Sequence, residues 1–265
     1  KSIVLKVKFG TFHSIFYHIL REAHYSGAAN ILSISYKTEI LLEILKKRAI
    51  QKDGRYEMES LKIQADEYLA AIGYYKNTYD QEKAVRLLAP EAKNNFPMIL
   101  QAFQAGCRQA GGLDFDDMVF ECRRLLLQDE EIRAYWQKRF SYILVDEFQD
   151  INPMQYEVIK LLGESHKNVF AVGDEDQAIY GFRGSDPDCV RQFVQEYNAR
   201  KILLNANYRS TSEIVNLAEK MIAENKNRLL QNKESYAAGL NAELKDSIKF
   251  IGFEIPKPLP SELLN

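Results

Sequence analysis

At 265 residues, 46% hydrophobic and 27% charged with only 13 Gly and 7 Pro, the chain has a globular composition, which excludes disordered, collagen-like and low-complexity classes. No apolar run approaches the roughly 18 residues that span a bilayer, and the opening Lys1-Ser2-Ile3-Val4-Leu5-Lys6-Val7-Lys8 is too broken by lysines for a signal-peptide core, so a cytoplasmic protein with no membrane partner is expected. The formal net charge of −2 excludes a wholesale basic surface; residues 1–140 carry 21 basic and 18 acidic groups and residues 141–265 carry 14 and 19, so a nucleic-acid partner would need a local groove.

The first half reads as helix. Gly10-Thr11-Phe12-His13 leads into an apolar stripe through Ile15, Phe16, Ile19 and Leu20. Helical patterns follow at about 37–50, 57–72 and 91–110, punctuated by Gly54 and Gly73 and ended by Gly111-Gly112. Asp114 then stands before Phe115-Asp116-Asp117-Met118 as an N-cap, with two further acids favouring the positive end of the helix dipole. Cys107, Cys122 and Cys189 are odd in number and form no C-x-x-C pair, which argues for reduced core thiols.

From residue 141 the period changes. Short apolar runs at 142–145, 168–173 and 201–204 alternate with helical segments at about 153–163, 186–197 and 211–226. Near-continuous apolar strands alternating with helices predict an α/β fold, its parallel sheet covered on both faces. The tail Ile255-Pro256-Lys257-Pro258-Leu259-Pro260 reads as an extended segment.

Ligands of open parallel sheets bind beyond the carboxyl ends of the strands. After the first run comes Asp146-Glu147-Phe148-Gln149-Asp150. Paired carboxylates delivered by an apolar strand suit holding Mg²⁺ at Asp146 and activating water at Glu147, although a lone Asp-Glu pair is as often an acidic turn. After the second run, Gln177 stands where an amide can report on a γ-phosphate, provided the two strands are neighbours. Tyr180, Phe182 and Arg183 place two aromatic faces and a guanidinium close together, which suits unpaired bases or, taken in isolation, a core with a surface arginine. After the third run, Tyr208 suits stacking on a purine and Arg209 suits an arginine finger; the alternative is a helix start capped by Ser210 or Thr211.

Taken together, Asp-Glu-Phe-Gln-Asp with Asn152 and Gln155, then Val-Gly-Asp-x-x-Gln-x-Ile-Tyr-x-Phe-Arg-Gly, then Asn-Tyr-Arg-Ser resemble motifs II, III and IV of the UvrD/Rep-like superfamily 1 DNA helicases. Gly10-Thr11-Phe12-His13-Ser14 looks like that family's single-strand-contacting motif Ic, and Leu113-Asp114-Phe115-Asp116-Asp117-Met118 like the acidic motif preceding motif II, so the resemblance runs from residue 10 to about 228. It implies part of a RecA-like P-loop NTPase sheet with an all-helical insertion. The first motor domain would comprise 1–35 and 113–204, the insertion 36–112, and the start of a second RecA-like domain 205–265. It implies ATP as substrate, Mg²⁺ held by Asp146, Glu147 activating water, Gln177 coupling the γ-phosphate to the DNA site, Tyr208 on adenine and Arg209 on the phosphates. Thr11, Phe12, His13, Tyr180, Phe182 and Arg183 would line the path of single-stranded DNA, including its junctions with duplex. Phe182 stands where the family often carries Trp, which offers a larger stacking face. For His13 a purely structural role is equally expected.

The family's phosphate cradle, G-x-x-x-x-G-K-[ST], has no counterpart in the sequence, and the family's later motifs are absent too. The expectation is an internal fragment of a longer ATP-dependent helicase serving repair, replication or recombination, inactive by itself. The alternatives are a degenerate, non-catalytic nucleic-acid-binding module and the helicase part of a helicase–nuclease subunit. An unrelated α/β enzyme with an acidic metal site would leave the later motifs as coincidences.

Overall fold

The computed structural model describes residues 7–25, 30–53, 57–181, 184–225, 228 and 233–239. The chain forms two compact units, Lys1–Ala199 and Arg200–Asn265.

In the first unit, Thr11 starts α1 (Phe12–Glu22), its hydroxyl accepting the Ser14 N–H at 3.3 Å, and Phe16, Ile19 and Leu20 form the buried stripe. The strands β1 (Asn30–Ile31) and β2 (Gly112–Leu113) pair in parallel and bracket a helical layer. That layer comprises α2 (Ile34–Asp53), α3 (Met58–Thr78), α4 (Gln81–Arg86), α5 (Pro90–Lys93) and α6 (Phe96–Gln109). Leu41, Leu45, Leu61, Tyr68, Ile72, Phe96 and Phe103 make its core, so helices too short or too polar to persist in water are held by a shared apolar interior.

Two expectations are corrected here. Gly73 does not end a helix: α3 runs through it to Thr78, and a Cβ at Gly73 would meet only Asp116 Oδ2, at 3.4 Å. The pattern at 91–110 is two helices, because Pro97 lacks an N–H and sits in the first turn of a new helix, α6.

Next come α7 (Phe115–Gln128) and α8 (Glu130–Arg139). Asp114 caps α7 as expected, and the structure adds a reciprocal box with Asp117. The same carboxylate accepts from Lys76 of α3 at 3.0 Å and Lys37 of α2 at 3.3 Å, while Lys76 also meets Asp117 at 2.6 Å. Lys76 is 3% exposed. A buried ammonium persists only when fully paired; the two carboxylates more than offset its burial and hold Lys76 above the ordinary lysine range. Beside it, Asn77 donates to Asp116 at 2.8 Å and accepts from Asn152 at 2.7 Å. The helical layer is therefore bolted to α7 and to the start of α9 (Pro153–Gly163) by polar groups, over a core built on Met118, Leu126, Trp136 and Val158.

The strands β3 (Ile143–Val145) and β4 (Val169–Ala171) pair in parallel with Val145 opposite Ala171. Ile143, Val145, Val169 and Ala171 pack on a third core with Phe148, Tyr156 of α9 and Phe193 of α10 (Asp188–Glu196). The expected sheet covered on both faces differs in two ways. Leu144 is 74% exposed and Phe170 57%, so one face is open. The run 201–204 forms no strand among the described residues; Leu204 is 83% exposed and has no ladder partner to bury it. The three cysteines are free and buried, as expected. No helix among the described residues is long and apolar enough to cross a membrane.

In the second unit, β5 (Ala206–Asn207) and β6 (Tyr236–Ala237) pair in parallel, and α11 (Ser212–Ile222) carries Val215 into its interior. Residues 255–260 lie outside the described residues.

Candidate active site

Parallel pairing of β3 and β4 makes their carboxyl ends neighbours, so the stretch from Asp146 and the stretch from Gly173 meet. Phe148 N–H donates to Val172 C=O at 2.8 Å, and Val172 N–H to Val145 C=O at 2.8 Å. The chain then turns sharply. Glu147 takes left-handed φ 50°, ψ 44° ahead of a 3₁₀ turn, Phe148–Asp150. For a non-glycine residue that conformation costs about 1–2 kcal/mol and marks a place where geometry is enforced.

A continuous hydrogen-bond chain crosses the two strand ends. Gln149, 2% exposed, donates its amide to Glu147 Oε2 at 2.8 Å and accepts the Asp174 N–H at 3.0 Å. The Asp174 carboxylate accepts from the Gln177 amide at 2.9 Å and from the Asp176 N–H at 3.2 Å. Glu147 and Gln177, expected to share a site, are thus joined through Gln149 and Asp174, neither of which the sequence reading assigned a role. The available signal was position: Gln149 stands two residues after Glu147, on the turn that aims it. Gly173 makes the crossing possible, because a Cβ there would lie 2.6 Å from Gln149 Oε1 and 3.0 Å from Phe148 N.

Asp146 and Glu147 are exposed, and Asp146 Oδ1 accepts the Glu147 N–H at 3.0 Å. Asp150 is drier: burial first, and then the Glu147 charge, push its carboxyl up, and its buried Oδ1 has no partner. No group of three or more His, Cys, Asp and Glu side chains is placed to hold a metal ion among the described residues. Mg²⁺ needs no such cage, since it binds through one or two carboxylates, substrate phosphates and waters. Exposed Asp146 beside Glu147 fits that donor set. Asn152 and Gln155 form the reciprocal capping box of α9 and so fix the backbone just past Asp150.

The remaining expected residues lie on other stretches of the chain. Thr11 is a helix cap, and Phe12 is half-buried against both cores beside β3. His13 packs edge-on to Phe115 at 5.6 Å; burial pushes its pKa below the ordinary range, with Asp116 and Asp114 pulling back, so it is neutral at pH 7. Tyr180 is 38% exposed. Phe182 and Arg183 lie outside the described residues. In the second unit, Asn207 Oδ1 accepts from Arg209 N–H at 3.0 Å and Ser210 N–H at 2.9 Å, and Thr211 caps α11. That turn leaves Tyr208 72% exposed.

A family model of the UvrD/REP helicase N-terminal domain matches residues 2–198, and the chain belongs to that family. It is 36% identical over 236 residues to YjcD of Bacillus subtilis (88% of this chain, 30% of that protein). It is 33% identical over 239 residues to the ATP-dependent DNA helicase PcrA of Staphylococcus aureus strain Mu50 (88% and 31%), and 32% identical over 244 residues to DNA helicase II of Escherichia coli (88% and 32%). The chain spans about a third of the length of these curated relatives.

Proposed function

We propose that this chain is the part of an ATP-dependent DNA translocase that places the hydrolytic water and links it to a single-stranded DNA path. The observation that carries the reading is the unbroken hydrogen-bond chain Glu147–Gln149–Asp174–Gln177, which ties the carboxylate next to the candidate metal ligand to the loop that leads into Tyr180. A purely structural acidic turn needs no such link.

Asp146 holds Mg²⁺, which when bound supplies charge neutralisation on the phosphates of ATP. Glu147 takes a proton from water as it attacks the γ-phosphorus, the bond to the β,γ-bridging oxygen breaks and ADP leaves with that electron pair, while the Gln149 amide keeps the Glu147 carboxylate oriented. Gln177 offers its amide to the γ-phosphate, so loss of that phosphate frees it to move with the Tyr180 loop. Tyr208 stacks on adenine and Arg209 faces the phosphates, while Thr11, His13, Tyr180, Phe182 and Arg183 line the strand. Residues 36–112 act as a helical insertion domain between the two stretches of the first motor domain.

Without a phosphate cradle the 265-residue chain holds the triphosphate poorly, and its turnover falls far below that of a protein carrying these residues together with one. The test is ATP hydrolysis, with and without single-stranded DNA, by both proteins. The expected result is DNA-stimulated turnover in the longer protein alone, abolished by Glu147→Gln with nucleotide binding retained. Unchanged turnover in that variant removes Glu147 as the base.

A further inference from the structure

Away from the strand ends, a cavity of about 720 Å³ opens between α3, α6, β2 and α7. Its volume lies in the range of small-ligand sites. One wall is a column of rings: Tyr75 stacks on Tyr79 (5.3 Å, 28°) and Tyr79 on Phe120 (5.8 Å, 8°). Tyr25 closes another side.

Two of the three cations lining it are already paired. Lys76 is bound to Asp114 and Asp117, and Arg124 to Glu121 at 2.6 Å and to the Tyr25 hydroxyl at 3.0 Å. Arg108 is exposed and makes no ion pair among the described residues, and neither does the Gln104 amide beside it hydrogen-bond to any of them. Tyr79 adds a separate anomaly. It holds φ 61° at the C-cap of α3, a position where glycine is strain-free, yet it is a tyrosine and 53% exposed.

An aromatic wall, an amide able to read a donor–acceptor edge and a fork-shaped cation left for an anion match one chemistry: a base with a phosphate. We propose that this cavity is a subsite for one unpaired nucleotide, its base against the Tyr75–Tyr79–Phe120 wall and its phosphate on Arg108. The nucleotide is either free or part of a DNA strand. The subsite stands apart from Asp146 and Glu147, so its failure leaves the strand-end reading untouched.

The test uses 2-aminopurine deoxyribonucleoside monophosphate, and the same base within a short oligothymidylate, titrated with the purified chain; stacking quenches the fluorescence. Quenching is expected to require about tenfold more protein with Tyr79→Gly, which removes the ring and suits the left-handed backbone, and with Arg108→Ala. Tyr79→Phe keeps the ring and should bind as the unsubstituted chain does, as should Lys138→Ala, which removes an exposed charge on α8. Quenching of both probes identifies a free nucleotide as sufficient, and quenching of the oligonucleotide alone identifies a strand. Should Tyr79→Gly lose cooperative unfolding, Phe120→Leu replaces it. The proposal is overturned if neither probe is quenched, or if quenching survives loss of the wall ring in a folded variant.

Discussion

Replacing Gln149 by Ala cuts the link between the strand ends at its most buried point. Two hydrogen bonds go: one to the Glu147 carboxylate at 2.8 Å and one from the Asp174 N–H at 3.0 Å. A hydrogen bond to a charged group is worth about 1.5–3 kcal/mol when buried, but exposed Glu147 regains water, which reduces its share to about 1 kcal/mol. The Asp174 N–H is left in a partly buried setting, costing about 1–2 kcal/mol, and the lost side-chain carbon adds about 0.8 kcal/mol. The expected loss is thus about 3 kcal/mol. Trp136, the one tryptophan of the chain and 1% exposed, lies in the first unit, so its fluorescence during urea unfolding reports on that unit. A double-mutant cycle with Glu147→Ala isolates the pair, with an expected coupling of about 1 kcal/mol. A Gln149→Ala loss under about 0.5 kcal/mol, or a cycle that is simply additive, refutes the relay.

Gly173→Ala should destabilise the first unit by about 1–3 kcal/mol, because its Cβ meets Gln149 Oε1 and backbone N atoms at 2.6–3.1 Å; Gly181→Ala, whose Cβ meets nothing within 4 Å, should stay within about 0.5 kcal/mol by the same unfolding assay. Lys76→Met takes the cation from Asp117 and leaves Asp114 with Lys37 alone, which should cost about 3 kcal/mol, and adding Asp114→Asn should recover part of that loss in the same measurement. Burial would raise the Asp114 carboxyl, but Lys76 and Lys37 hold it at about 2, below its ordinary 3.8. A depressed carboxyl stabilises the fold above its unfolded pKa and loses that contribution as pH falls through the folded one. The stability gap between the unsubstituted chain and Asp114→Asn should therefore be full above about pH 4 and shrink toward pH 2. A gap that stays constant on acidification would show that the charge on Asp114 contributes nothing.

Much of the fold was legible because its signals are local. The N-cap at Asp114 and the stripe through Phe16, Ile19 and Leu20 depend on neighbours within one helical turn, and the strands ending at Val145 and Ala171 announce themselves as short apolar runs. The motif residues stand out in the sequence for a different reason: Asp146, Glu147 and Gln177 follow strands, and strand ends collect ligand chemistry. Composition and local pattern do not record pairing. The run 201–204 is apolar enough for a strand, yet strands exist only where a partner supplies hydrogen bonds, and β5 forms at 206–207 instead. Gly73 reads as a breaker, but α3 carries it because the packed helical layer outweighs about 1 kcal/mol of propensity. Contacts between residues far apart in sequence were decided only by the tertiary structure. Nothing in the local sequence marks Lys76 and Asn77, yet α7 and α9 bring Asp114, Asp117, Asp116 and Asn152 against them. In the same way Gln149 becomes a bridge only because β3 and β4 lie side by side, with Gly173 leaving room between them.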